Sequence, residues 1–263
     1  VQRLEWPQLR RPHDKNGALI GMVLGDACLH IPKGRVNAVF RFEHGSRQKA
    51  YAHWKAELVR RYIFPDIKLY EQHRRGTTFW VAVTRAHRKL THLYRDMYRN
   101  GVKVIRPNIL HRLTPLGLAL WYMDDGTLVY CRNPNGSIAS RQMNLATSCF
   151  TEAEHDMMAD YFLEYWGIRL RKGKQGKHWK MWANTEDTLK FFDIIRPYVL
   201  MVPGMWYKIC PRYERYKHQF HYNVCGHRCA GHLRNCPYED DEIVRAPSKD
   251  GEAGRNDQPP APA

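Results

Sequence analysis

The chain has 263 residues, enough for one large or two modest domains around a real core. Its formal net charge is +16, and seven acids against three bases from Pro237 onward leave +20 on the first 236 residues, a charge that expects a polyanion such as DNA or RNA. No run approaches the ~20 apolar residues that span a bilayer, Val1 to Asp14 shows no signal-peptide core, and an odd count of seven cysteines argues for a reducing compartment over a disulfide-stapled secreted fold.

In chain order, Asn16 is placed to cap a helix from about Gly17 to Cys28, and Pro32-Lys33-Gly34 breaks the chain after it. Val36 to His44 alternates as a strand, with Val36, Ala38, Phe40 and Phe42 on one face. Ser46 caps a second helix, with Tyr51, Trp54, Leu58 and Tyr62 near helical spacing. Strands follow at Ile67 to Tyr70 and Thr77 to Arg85, then a helix from about His87 to Tyr98.

Gly101 to Arg112 connects to a helix opened by Thr114-Pro115, a capping side chain followed by proline at the first helical position. The order then repeats. A strand covers about Gln142 to Ser148, and Thr151 to Glu154 forms a capping box for a helix to Trp166. Ile168 to Arg171 and His178 to Trp182 read as strands, and Thr185 opens a helix ending near Pro197. Each half thus reads αββα with extra pieces.

The repeat is sharpest in two apolar runs. Leu19 to Ala27 (Leu-Ile-Gly-Met-Val-Leu-Gly-Asp-Ala) returns as Leu118 to Gly126 (Leu-Ala-Leu-Trp-Tyr-Met-Asp-Asp-Gly), each reaching an acid at its eighth position. Asp26 and Asp125 therefore stand 99 residues apart at the ends of two segments built for burial. Charge is seldom buried unpaired, so two matched acids suit a divalent metal held between paired helix ends. Gly21 and Gly25 lie four apart on one helical face, where small residues let another helix approach. The second run has Leu120 and Asp124 at those places, so close approach would rest on Gly25 with Ala119 nearby. Asp124 reads as a capping or supporting acid rather than the metal acid.

Together the two motifs, their spacing and the flanking Leu113-Thr114-Pro115, Thr147-Ser148-Cys149-Phe150 and Met205-Trp206-Tyr207-Lys208 segments resemble the LAGLIDADG homing endonucleases, in the two-motif, single-chain form of mitochondrial intron-encoded members. The resemblance covers about residues 15 to 210. It implies an α+β fold of two pseudo-symmetric αββαββα half-domains, with motif helices at the central interface and saddle-shaped antiparallel sheets over DNA. It further implies a monomer that cuts both strands of a long double-stranded DNA target in a Mg²⁺-dependent reaction, leaving 3′ overhangs, with Mn²⁺ as an alternative ion and Ca²⁺ as a non-cleaving substitute. Carried over by position, Asp26 and Asp125 are the metal-binding acids, the main-chain carbonyl of Gly25 is a further ligand, and Lys103 and Lys208 orient water or neutralise developing charge. An RNA maturase acting on its host intron RNA is the runner-up, and a non-catalytic DNA-binding regulator a third reading. Retention of both acids favours cleavage. No splicing-junction feature marks the chain as part of an intein. The expected compartment is a mitochondrion or other organelle, or a phage or bacterial cytoplasm.

For target contact, outward strand and loop positions give Arg41, Arg74, Arg75, Trp80, Arg141, Asn144, Arg171, Lys172, Lys174, Lys177 and Lys180 as DNA-binding candidates. Arginine and asparagine suit base edges, and the basic run from Arg169 to Lys177 suits phosphates. The expected organisation is a first half-domain over 1–112, a second over 113–210, a basic Cys/His-rich extension over 211–243 and a disordered tail over 244–263. In the extension, Cys225, Cys229, His232 and Cys236 could close a structural Zn²⁺ site, although their spacing is not that of a standard two-knuckle site.

Overall fold

A computed structural model describes residues 6–209, apart from 133, 135–137 and 177. Two copies of one layout make up these residues. The first comprises α1 (Pro12–Leu24), β1 (Cys28–His30), β2 (Val39–Gly45), α2 (Lys49–Tyr62), β3 (Lys68–Arg74), β4 (Thr77–Val83) and α3 (Arg88–Met97). A small ribbon of β5 (Tyr98–Arg99) and β6 (Val102–Lys103) and a single turn, α4 (Pro107–Leu110), lead onward. The second copy comprises α5 (Pro115–Asp125), β7 (Gly126–Arg132), β8 (Ile138–Leu145), α6 (Glu152–Trp166), β9 (Arg171–Gln175), β10 (His178–Trp182) and α7 (Thr185–Val199). A 3₁₀ turn at Trp206–Lys208 follows. Both halves are αββαββα, an α+β fold with antiparallel sheets ordered β1-β2-β4-β3 and β7-β8-β10-β9.

Local chemistry explains most boundaries. Proline fixes φ without needing an amide partner, so α1 starts with Pro12 at its first turn, well before Asn16. Thr114 caps α5 by accepting the Gly117 N–H (3.2 Å), and Thr151 and Glu154 close a capping box on α6. On α7 the cap is Asn184, one residue ahead of Thr185, accepting the Asp187 N–H at 2.8 Å. Ser46 opens a 3₁₀ turn, and α2 proper begins at Lys49.

Helices cover one face of each sheet, α2 and α3 on the first and α6 and α7 on the second. Alternation and register then sort the side chains. Phe40, Phe42, His44, Trp80 and Ala82 point to the helix layer of the first sheet, while Arg41, Glu43, Tyr70 and Arg74 point to its open face. In the second sheet Met143, Leu145, Trp179 and Met181 line the helix layer, with Asn144, Lys180 and Arg171 on the open face. The motif helices α1 and α5 lie against each other between the halves, buried along their lengths from Gly17 and Leu116.

Their contact is at backbone distance. A Cβ on Gly21 would sit 2.0 Å from the Gly117 carbonyl oxygen, and one on Gly117 would sit 2.3 Å from the Gly17 oxygen. The close approach thus uses Gly117, the residue just before the second motif's apolar run, and not Ala119 as the sequence suggested.

Candidate active site at the helix crossing

The C-terminal ends of α1 and α5 bring Asp26, Asp124 and Asp125 together. Gly25 and Asp124 hold equivalent motif positions and face each other: a Cβ on Gly25 would lie 2.5 Å from the Asp124 Cβ. Because glycine leaves that space, the Asp124 carboxylate reaches across and accepts the Asp26 N–H at 3.2 Å. It also accepts from Tyr51 Oη (2.7 Å) and from Lys55 Nζ at 2.8 and 2.6 Å. The Lys55 and Asp124 side chains are both fully excluded from solvent. Removing one partner of such a pair costs about 3–5 kcal/mol, because the other charge is left buried alone. Asp124 is therefore committed to structure, as a cap on the first motif supplied by the second.

His44 packs between these groups. Burial and the Lys55 ammonium lower its pKa to about 4, so the ring is neutral at physiological pH. Its Nδ1–H then donates to Gln48 Oε1 (3.1 Å), while Nε2 faces Lys55 Nζ at 3.4 Å. The Asp26 carboxylate lies 3.6 Å from His44 Nδ1, beyond hydrogen-bond range. Asp26, His44 and Asp124 could in principle offer one ligand atom each to an ion. Asp124 already has both oxygens on an ammonium, however, so the donor set that fits a cation is the pair left uncompensated.

That pair is Asp26 and Asp125. Burial raises the proton affinity of both, and neighbouring carboxylates raise it further: Asp124 for Asp26, and Asp26 then Asp124 for Asp125, which reaches about 7. Lys55, Lys208 and Lys103 offset this at Asp26, and Lys103 and Lys55 at Asp125, without cancelling it. Two carboxylates in one another's field and short of positive charge fit a divalent ion.

The two lysines singled out from sequence both lie here. Lys103 Nζ donates to the Gly25 carbonyl (3.1 Å) and the Ala27 carbonyl (3.4 Å), and Lys208 Nζ donates to the Gly126 carbonyl at 2.7 Å. Ala27 and Gly126 are equivalent motif positions, so each half ends its motif on a lysine. Burial lowers both ammonium pKa values; Cys149 and then Asp125 oppose this at Lys103, and Asp124, Asp26 and Asp125 oppose it at Lys208. The Gly25 carbonyl is thus engaged by Lys103.

The DNA-binding candidates separate by face. Arg41 and Arg74 are on the open face, both on Glu43: Arg41 Nη2 donates at 2.8 Å, and Arg74 takes the other carboxylate oxygen. Arg75 occupies the β3–β4 turn at φ +50. Asn144, Lys180 and Arg171 share the open face of the second sheet. Trp80, Arg141, Lys172 and Lys174 do not. Trp80 lies against His53 of α2 (ring centroids 4.5 Å), because the Thr77–Val83 alternation runs with even positions toward the helices. Arg141 alternates with Met143 and has its Nε out of solvent. Lys172 bridges Glu152 (3.2 Å) and Asp156 (2.6 Å) of α6, and both it and Lys174 stand over the Trp179 ring. The middle of the basic run, Arg171–Gln175, is a strand, β9, rather than a loop. Lys177 and the zinc candidates Cys225, Cys229, His232 and Cys236 lie outside the described residues.

The sequence reading missed Lys55 and His44. The signal was present: Lys55 is four residues after Tyr51 and falls on the apolar stripe of α2, where an unpaired ammonium is not tolerated.

Paired αββαββα halves packed against each other through their motif helices have the homing-endonuclease fold. Residues 16–191 match the LAGLIDADG DNA endonuclease family, and the chain belongs to it. It is 25% identical over 213 residues to a probable intron-encoded endonuclease 1 of Wickerhamomyces canadensis, covering 78% of this chain and 87% of that one. It is also 32% identical over 206 residues to a protein named RecA from Mycolicibacterium flavescens, covering 74% of this chain but 46% of that protein. The chain thus spans about half the length of the RecA-named relatives that it matches. Among solved structures, the homing endonuclease I-WcaI bound to its DNA recognition sequence superposes with a TM-score of 0.63 at 24% identity, over 77% of this chain and 88% of that one. No described helix is long and apolar enough to cross a membrane.

Proposed function

We propose that the protein is a site-specific homing endonuclease that hydrolyses both strands of a long double-stranded DNA target in a Mg²⁺-dependent reaction, leaving 3′ overhangs. One observation carries the reading: Asp26 lies just past the end of α1 and Asp125 at the end of the equivalent α5, near enough that the Asp26 charge raises the proton affinity of Asp125, while burial raises that of both. The I-WcaI structure, whose partner is its DNA recognition sequence, supports DNA as the partner here.

In this reading Asp26 and Asp125 are the acidic ligands, one centre for each strand. A bound Mg²⁺ would polarise the scissile phosphate and lower the pKa of attacking water. The chain's own residues do the rest. Lys103 and Lys208 hold the Gly25, Ala27 and Gly126 carbonyls, fixing the main chain around each acid, and place positive charge near phosphate oxygens. Arg41, Arg74, Asn144, Lys180 and Arg171 meet DNA from the open sheet faces.

The test is digestion of a randomised duplex library in Mg²⁺, with sequencing of the ends. Wild type should yield staggered cuts at one sequence family. Asp26→Asn and Asp125→Asn should each lose cleavage of at least one strand while retaining DNA binding. Full double-strand cutting by either variant would refute the assignment.

A further inference from the structure

The two acid centres are not equivalent, although the fold around them is. Register pairs Cys28 with Arg41 and Thr127 with Asn144, so Arg41 and Asn144 correspond, and three residues on, His44 corresponds to Thr147. Beside Asp26 the buried cluster is His44, Lys55, Tyr51 and Asp124, and it ends on the Asp26 amide. At the matching place in the second half, Thr147 Oγ1 meets His155 Nε2 at 2.9 Å, and His155 Nδ1–H donates to the Thr151 carbonyl at 2.7 Å. That pair is closed on itself. Among the described residues it makes no hydrogen bond to Asp125. The asymmetry begins in the motifs: where the second carries Asp124, the first carries Gly25, which has no side chain to return the contact.

We propose that Lys55 is a positioning residue for the Asp26 centre, acting through Asp124, so that hydrolysis of one strand depends on a side-chain relay which the other strand's centre lacks. Lys55 is excluded from solvent. Its ammonium fixes both oxygens of Asp124, whose Oδ2 holds the main-chain N–H of Asp26. Tyr51 fixes Oδ1 from a second direction. Freed from Lys55, the Asp124 carboxylate has reason to turn toward solvent, and the Asp26 main chain loses its acceptor. Among the described residues no hydrogen bond joins this cluster to Asp125, which feels Asp124 and Lys55 through their charge and has its main chain within α5. An ångström of misplacement at a reacting centre is enough to cost ~100-fold in rate.

The inference rests on reading Asp26 and Asp125 as the two hydrolytic acids. It is tested with the full chain on a plasmid bearing the target selected by wild type, following each strand's cleavage by end label. Two variants are compared, Lys55→Met and Lys55→Met with Asp124→Asn. The second removes the unpaired buried charge, but its amide has a single oxygen with no ammonium to fix it, so the hold on the Asp26 N–H stays lost. In Lys55→Met one strand's rate should fall at least ~10-fold further than the other's, with nicked plasmid accumulating. In the double variant the thermal midpoint should return toward wild type while the strand imbalance persists. An equal fall on both strands overturns the proposal. So does balanced cutting restored by the double variant, which would make Lys55 a charge-compensating residue alone. If Lys55→Met does not fold, the double variant reads the same ratio. Failure of wild type to cut any sequence would instead remove the nuclease reading, and this inference with it.

Discussion

Gly21→Ala is the sharpest test of the helix crossing. In an ordinary exposed helix the change stabilises by about 0.8–1.0 kcal/mol, since glycine is the poorer helix former. Here the new Cβ would lie 2.0 Å from the Gly117 oxygen, 2.5 Å from its carbonyl carbon and 2.6 Å from its Cα. All three atoms are backbone, so no side chain can swing aside. Reaching an ordinary 3.4 Å contact requires α1 and α5 to part by about 1.4 Å. Overpacking of this kind costs about 1–3 kcal/mol, with a rigid neighbour at the upper end. Net of propensity the loss is about 2 kcal/mol, equivalent to a melting point lower by ~4–8 °C for a domain of this size. The same shift separates the acids and should slow cleavage by ~100-fold. Urea titration with and without the change measures the first effect, and single-turnover cleavage the second. Gly45→Ala is the control, since a Cβ there meets nothing within 4 Å. If Gly21→Ala is as stable as wild type or more so, the close backbone contact is not there.

Asp125 binds its proton more tightly folded (about 7) than unfolded (3.8), so between those pH values the folded state carries the extra proton and its stability falls as pH rises. In EDTA, wild type should therefore fall progressively further below Asp125→Asn in melting point from pH 5 to 8, and added Mg²⁺ should raise wild type more at pH 8 than at pH 5; an advantage of Asp125→Asn that shrinks as pH rises would contradict this. Thr188→Val should destabilise by ~1–3 kcal/mol, because Thr188 Oγ1 accepts the buried Met143 N–H at 3.0 Å and valine leaves that donor unsatisfied; a urea midpoint unchanged from wild type would refute it. Arg74→Ala should weaken DNA binding and flatten its salt dependence, whereas Trp80→Phe, on the helix side, should leave affinity unchanged in a fluorescence-anisotropy titration.

The duplicated motifs and their acids were legible because burial and charge conflict visibly in the sequence: Leu-Trp-Tyr-Met followed by two aspartates has few explanations. Thr114 and Thr151 announced their helices because capping is local chemistry. Short strands were not legible. β1 is three residues long, and β7 carries no clean alternation, since it is placed by pairing with β8. Strand faces were ambiguous for a different reason. Thr77–Val83 has apolar residues at both odd and even positions, so its period could not say whether Trp80 or Val81 faced the helices. Lys172 looked like a phosphate contact because its partners, Glu152 and Asp156, are supplied by a helix some twenty residues earlier in the chain. Lys55 was hidden by the same non-locality, as its counter-charge comes from the other half of the molecule.

That borrowed counter-charge limits how the gene can be rearranged. A symmetric dimer made of two first halves would seal two ammonium groups inside with glycine opposite each, and one made of two second halves would enclose surplus carboxylate against histidine and threonine. Domain-swapped chimeras with related enzymes should then be soluble only when the exchanged segment carries residues 51, 55 and 124 together, whatever DNA sequence the strands are redesigned to read.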